Sequence, residues 1–169
     1  MMKVLGAVLV LMACGGAGFA MVTAHRKQEK ALGQLIRALE YMRNELQYRM
    51  PPLPELCNNA SQVSTGCVRD ILSCMSTELE EQMIPNASAC MYSAINKQNN
   101  LPESFRDCML QLGDSLGCFD LPGQLQGLKS VQKRAEFELE LLRRNQDVRL
   151  RSYQTLGFCA GPALVVLFL

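Results

Sequence analysis

Residues 30–52 read KALGQLIRALEYMRNELQYRMPP, and this stretch decides the fold class. Leu32, Leu35, Ile36, Leu39, Met42 and Leu46 recur at spacings of three and four, the period that lines one face of an α-helix. Pro51-Pro52 stops that helix at Met50, because a proline pushes the residue before it out of helical geometry.

The rest of the middle repeats the pattern. A short helix is expected from Leu53 to about Ala60, with Ser64 or Thr65 opening the next. Val68, Ile71, Leu72, Met75, Leu79 and Met83 then keep helical register up to Pro85. Asn86 suits an N-cap for a helix of about Ala87 to Lys97, followed by the polar turn Gln98-Asn99-Asn100. Pro102 suits a first helical position, with Phe105, Cys108, Met109 and Leu112 on the inner face and an end at Leu116-Gly117. The last helix starts near Leu121 and carries Leu128, Val131, Ala135, Leu139 and Leu142 in register, running on toward Gly157. No alternating run bounded by turn residues marks a strand. The expectation is an all-α bundle of about six helices.

Both ends of the chain are apolar. Residues 4–24, VLGAVLVLMACGGAGFAMVTA, hold 21 positions without a charge, roughly 31 Å of helix and enough to cross a hydrocarbon core. The last 14 residues, from Leu156 to Leu169, are also uncharged, about 21 Å and short for a full span. The chain therefore divides into an N-terminal transmembrane helix (1–24), a helical soluble domain (25–155) and a C-terminal membrane segment (156–169). Basic clusters flank both apolar ends on the side of the middle: Arg26, Lys27, Lys30 and Arg37 at one, Arg143, Arg144, Arg149 and Arg151 at the other. By the positive-inside rule residues 25–155 face the cytoplasm. The competing reading is a secreted or lipid-anchored domain. Leu11-Met12-Ala13-Cys14 looks like a lipobox, and Cys57, Cys67, Cys74, Cys90, Cys108 and Cys118 could form three disulfides. Reduced structural thiols are the preferred assignment, since free cysteine behaves as a small buried hydrophobe.

Composition narrows the chemistry. Seventeen Lys and Arg against sixteen Asp and Glu leave a net charge of +1, so no basic field awaits nucleic acid. His25 is the single imidazole among 169 residues, which leaves little material for a metal site or a Ser-His or Cys-His nucleophile pair. No catalytic constellation, cofactor or small-molecule substrate is expected. Charge is nevertheless uneven. Residues 51–123 hold three Lys and Arg and nine Asp and Glu, net −6, while the flanks hold fourteen and seven, net +7. The basic flanks read as a topology signal and a contact with anionic lipid, and the acidic middle as mostly solvated surface, with docking of a basic partner the alternative.

Three motifs occur in order: Gln34-Leu35, Ala38-Leu39, Glu45, Tyr48 and Pro52-Leu53-x-Glu55; then Leu112-Gly113-x-x-Leu116-Gly117-x-x-Asp120-x-x-x-Gln124; then Leu156-Gly157-Phe158-x-x-Gly161. Together they resemble the stage III sporulation protein AB family of endospore-forming bacteria. The resemblance implies a helical soluble region similar to the cytoplasmic domain of type II secretion and type IV pilus platform proteins. It implies a place in the channel complex joining mother cell and forespore, in the mother-cell membrane, beside a secretion-type ATPase and other membrane subunits, with self-association also open.

Glu45, Tyr48, Glu55 and Asp120 are the candidate partner-interface residues. For Glu45 and Glu55 the first reading is that they cap or bridge helices and the second that they present charge to a basic partner, while Asp120 also reads as the start of the last helix. Gly113 and Gly117 lie one turn apart, each costing roughly 1 kcal/mol in helix propensity, which points to close helix approach at Gly113 and a left-handed end at Gly117. Gly157 and Gly161, four apart, suit close packing of helices in lipid.

Overall fold

The computed structural model describes residues 26–81, 86–99, 101–117 and 120–168, with side chains described as far as Arg144. The described residues form six helices: α1 (26–48), α2 (Leu53–Val63), α3 (Cys67–Glu80), α4 (Ala87–Asn96), α5 (Glu103–Leu116) and α6 (Leu121–Phe168). No strand occurs among them. The expected span 1–24 lies outside the described residues.

The helices form where the sequence supplies both a face and a stop. In α1, Leu32, Leu35, Leu39 and Met42 are at most 1% exposed, one stripe turned wholly inward. The same holds for Val68, Ile71, Leu72 and Met75 on α3, for Phe105, Cys108, Met109 and Leu112 on α5, and for Leu128, Val131 and Ala135 on α6. These side chains meet in one core. Each Leu-sized or Met-sized chain that leaves water there contributes about 1.5–3 kcal/mol.

Boundaries differ from expectation in instructive ways. Helix α2 runs three residues past Ala60, to Val63, because Ala60 and Ser61 are buried and keep it packed. Helix α3 is opened by Gly66, φ 64°, with no side-chain cap, rather than by Ser64 or Thr65. Ser64 instead turns its hydroxyl back to the Ala60 carbonyl, 2.7 Å, and finishes α2. Helix α3 stops at Glu80, short of Pro85. Asn86 does cap α4, its Oδ1 accepting the Ser88 N–H at 3.1 Å.

Consecutive helices α2 to α6 pack pairwise, α2 on α3, α3 on α4, α4 on α5 and α5 on α6. Helix α1 closes the bundle by lying antiparallel to α6. Near its end Arg43 donates to Gln132, 3.2 Å, and near its start Glu29 accepts from Arg143, 2.9 Å. Gln28 also donates to Ser104 on α5, 2.7 Å. These contacts define two ends. At the base α1 begins, α6 passes out of the bundle, and the α2–α3 and α4–α5 connections lie. At the top are the ends of α1, α3 and α5 and the starts of α2, α4 and α6. Beyond Arg144, α6 continues to Phe168, roughly 36 Å of helix past the level of Glu29. Among the described residues no helix is long and apolar enough to cross a membrane.

Candidate functional site

The top corner between α1 and α2 gathers Glu45, Tyr48 and Glu55. The Glu45 carbonyl accepts the Arg49 N–H at 2.8 Å and the Met50 N–H at 3.1 Å, so one oxygen ends α1. Met50 then takes φ 47°, a left-handed conformation that costs a residue with a Cβ about 1–2 kcal/mol. The turn throws two large apolar side chains outward: Tyr48 is 81% and Met50 63% exposed. Tyrosine and methionine are enriched in protein interfaces, and here they stand beside carboxylates. Glu55, exposed in the first turn of α2, places its charge where the helix dipole favours it.

Glu45 is placed differently. Its side chain is only 17% exposed, and Arg49 sits 3.7 Å from Oε2, an oxygen with no hydrogen bond in the described residues. Burial first, then the charge and hydrogen bond of Glu45, raise the Tyr41 phenol above its usual range. Glu45 thus ties the last turns of α1 together, and Tyr48 and Glu55 are what the corner shows to solvent.

Asp120 is the N-cap of α6. Its Oδ2 accepts the Gly123 N–H at 2.9 Å and its carbonyl accepts the Gln124 N–H at 3.0 Å. Gly123 is bound up with that cap: a Cβ there would fall 2.6 Å from Asp120 Oδ1. Gly113 lies where α5 crosses α4, and a Cβ on it would stand 2.7 Å from Met91 Cβ and 3.3 Å from Ser88 Cα. The expected left-handed end at Gly117 is a correction. Gly117 has φ −75° and ψ −9°, so α5 ends in right-handed geometry any residue adopts. Gly127 was not singled out by its sequence context, yet a Cβ there would meet Ser115 Cβ at 2.6 Å, the crossing of α6 on α5. Gly157 and Gly161 fall beyond Arg144, where side-chain surroundings lie outside the described residues.

One polar cluster escaped the sequence reading. Glu78, 8% exposed on the inner face of α3, accepts at Oε1 from Lys97 Nζ (2.7 Å) and from Ser93 Oγ (2.9 Å), both of α4 or its last turn. Lys97 also lies 3.5 Å from Cys74 Sγ. Burial pushes the Glu78 carboxyl up, but the Lys97 and Ser93 hydrogen bonds outweigh it and hold the group below the usual carboxylate range. The available signal was register: Glu78 stands seven after Ile71, on the buried stripe. Cys57, Cys67, Cys74 and Cys108 carry free thiols. Burial pushes Cys57 up to about 12, which keeps it protonated and unreactive at neutral pH. Among the described residues no group of three His, Cys, Asp or Glu could hold a metal ion.

The sequence profile of the stage III sporulation protein AB family matches residues 3–169. The chain belongs to that family. Stage III sporulation protein AB of Bacillus subtilis strain 168 is 24% identical over 172 residues, covering all of both chains. A solved structure of stage III sporulation protein AB superposes with a TM-score of 0.64 at 21% identity, over 72% of this chain and 98% of that one. At that identity the likeness speaks for the helical fold. Within the family's motifs as this chain carries them, Gly113 and Asp120 build the bundle, and Tyr48 and Glu55 lie on its surface.

Proposed function

We propose that this chain is a noncatalytic, membrane-anchored component of the sporulation channel complex between mother cell and forespore. It acts in assembly with a secretion-type ATPase and other membrane subunits, its bundle on the cytoplasmic side of the mother-cell membrane. The observation that supports this most is the Glu29–Arg143 contact at 2.9 Å. It puts the start of α1 beside Arg143 of α6, and on this reading the apolar run before α1 and the apolar end of the chain enter the membrane on that side. The bundle then stands on the bilayer with its acidic top held away from it, and Tyr48, Met50 and Glu55 face other subunits there.

The test is a paired substitution on that corner. Tyr48→Ala with Glu55→Lys removes an 81% exposed ring and reverses an exposed charge, and neither change touches the core. The variant should accumulate as a folded protein, fail to co-purify with the complex's other subunits and lower spore yield at least tenfold. Wild-type co-purification and spore yield would remove the top corner from the interface.

A further inference from the structure

We propose that the groove at the base binds the phosphate headgroup of an anionic phospholipid. This inference rests on the membrane-anchored reading above. The groove encloses about 1440 Å³ between the first three turns of α1, the α2–α3 and α4–α5 connections, and α6. Lys27, Lys30, Arg37 and Arg143 line it, with Thr65 and Gln98 offering neutral polar groups opposite. Its one lining carboxylate, Glu29, is already engaged by Arg143. Lys27, Lys30 and Arg37 are exposed, and among the described residues none of them has a carboxylate partner. The groove thus presents three uncompensated cations in a concave site, the arrangement that suits a phosphodiester anion.

Gly33 widens it: a Cβ there would meet nothing within 4 Å, so the wall of α1 recedes between Lys30 and Arg37. Position selects the lipid over a free anion. Lys27 follows the uncharged run 4–24 by three residues, less than one helical turn. On the proposed topology the groove therefore lies at the depth of the headgroups, with its cations aimed at the leaflet whose negative surface potential attracts them.

The test uses the full chain in neutral detergent, with phosphatidylglycerol or phosphatidylcholine added and bound lipid read by native mass spectrometry. Wild-type protein should retain phosphatidylglycerol in preference to phosphatidylcholine, and millimolar inorganic phosphate should not displace it. Lys27→Gln with Lys30→Gln should weaken retention roughly thirtyfold, about fivefold for each basic residue. Lys129→Gln with Lys133→Gln, an equal charge change in a groove higher on α6, should leave it unchanged. Gly33→Leu, whose side chain enters open space, should block retention without unfolding the bundle. Equal loss in both lysine pairs, equal retention of the neutral lipid, or displacement by phosphate would overturn the proposal. Carbonate extraction of cell membranes separates the two readings: wild-type protein washed off by carbonate would contradict the anchor, whatever the micelles show of the headgroup.

Discussion

Gly33 and Gly113 are both helical glycines, and they have opposite consequences. At Gly113 the neighbour's backbone and Met91 leave no room for a methyl group, so Gly113→Ala should cost about 1–3 kcal/mol by overpacking. At Gly33 the space is open, and Gly33→Ala should add about 0.5–1 kcal/mol through helix propensity alone. Chemical denaturation of the two variants checks both signs at once. The Asp120 cap gives a third value: Asp120→Ala should lose about 1 kcal/mol, and Gly123→Ala should lose a similar amount by displacing the same carboxylate. Gly113 was legible because two glycines in one turn of an amphipathic helix need a reason. Gly117 was misread because glycine is equally compatible with a left-handed and a right-handed helix end, and sequence alone does not choose. Gly127 was missed because its reason, Ser115, lies on another helix.

Between elements, the α3–α4 contact holds the Glu78–Lys97 ion pair, whose carboxylate reaches the inner face. Glu78 is held below its usual range in the folded chain, so its contribution is present above the ordinary carboxylate pKa and is lost as pH falls through the lowered value. Lys97 is raised, by its hydrogen bond to Glu78 first, so its contribution holds at neutral pH and is lost as pH rises through that raised value. Stability should therefore show a plateau that falls at both ends. Glu78→Gln should flatten both falls and lower the plateau by about 1–2 kcal/mol, a modest figure because Lys97 is largely exposed. Thermal unfolding across pH, wild type against Glu78→Gln, makes the comparison. Helix identities and most helix ends were legible at this scale, since prolines and Asn86 act through neighbours in the chain. The opening of α3 was not, because Ser64 could cap forward or bond backward, and burial of its hydroxyl decided for the Ala60 carbonyl.

The molecule as a whole is polarised: Lys27, Lys30 and Arg37 are exposed toward the base, and Tyr48, Met50 and Glu55 are exposed at the top. Charge counts along the sequence separated an acidic middle from basic flanks, and the Glu29–Arg143 contact brings the outer parts of those flanks, the start of α1 and the outgoing part of α6, together at the base. What they could not supply was the pairing itself, which depends on Arg43–Gln132 and Glu29–Arg143, contacts 89 and 114 residues apart in sequence. The central claim is that this base rests on the cytoplasmic face of the membrane. Its most direct test is labelling of an Asn44→Cys variant, an exposed site on the upper half of α1, with Cys14, Cys67, Cys74, Cys118 and Cys159 replaced by Ser and the buried Cys57, Cys90 and Cys108 left in place. A membrane-impermeant maleimide is applied to intact protoplasts and again after lysis. Protection before lysis and full labelling after it is the result the account predicts. Labelling of intact protoplasts would put the bundle on the outer face and contradict the account.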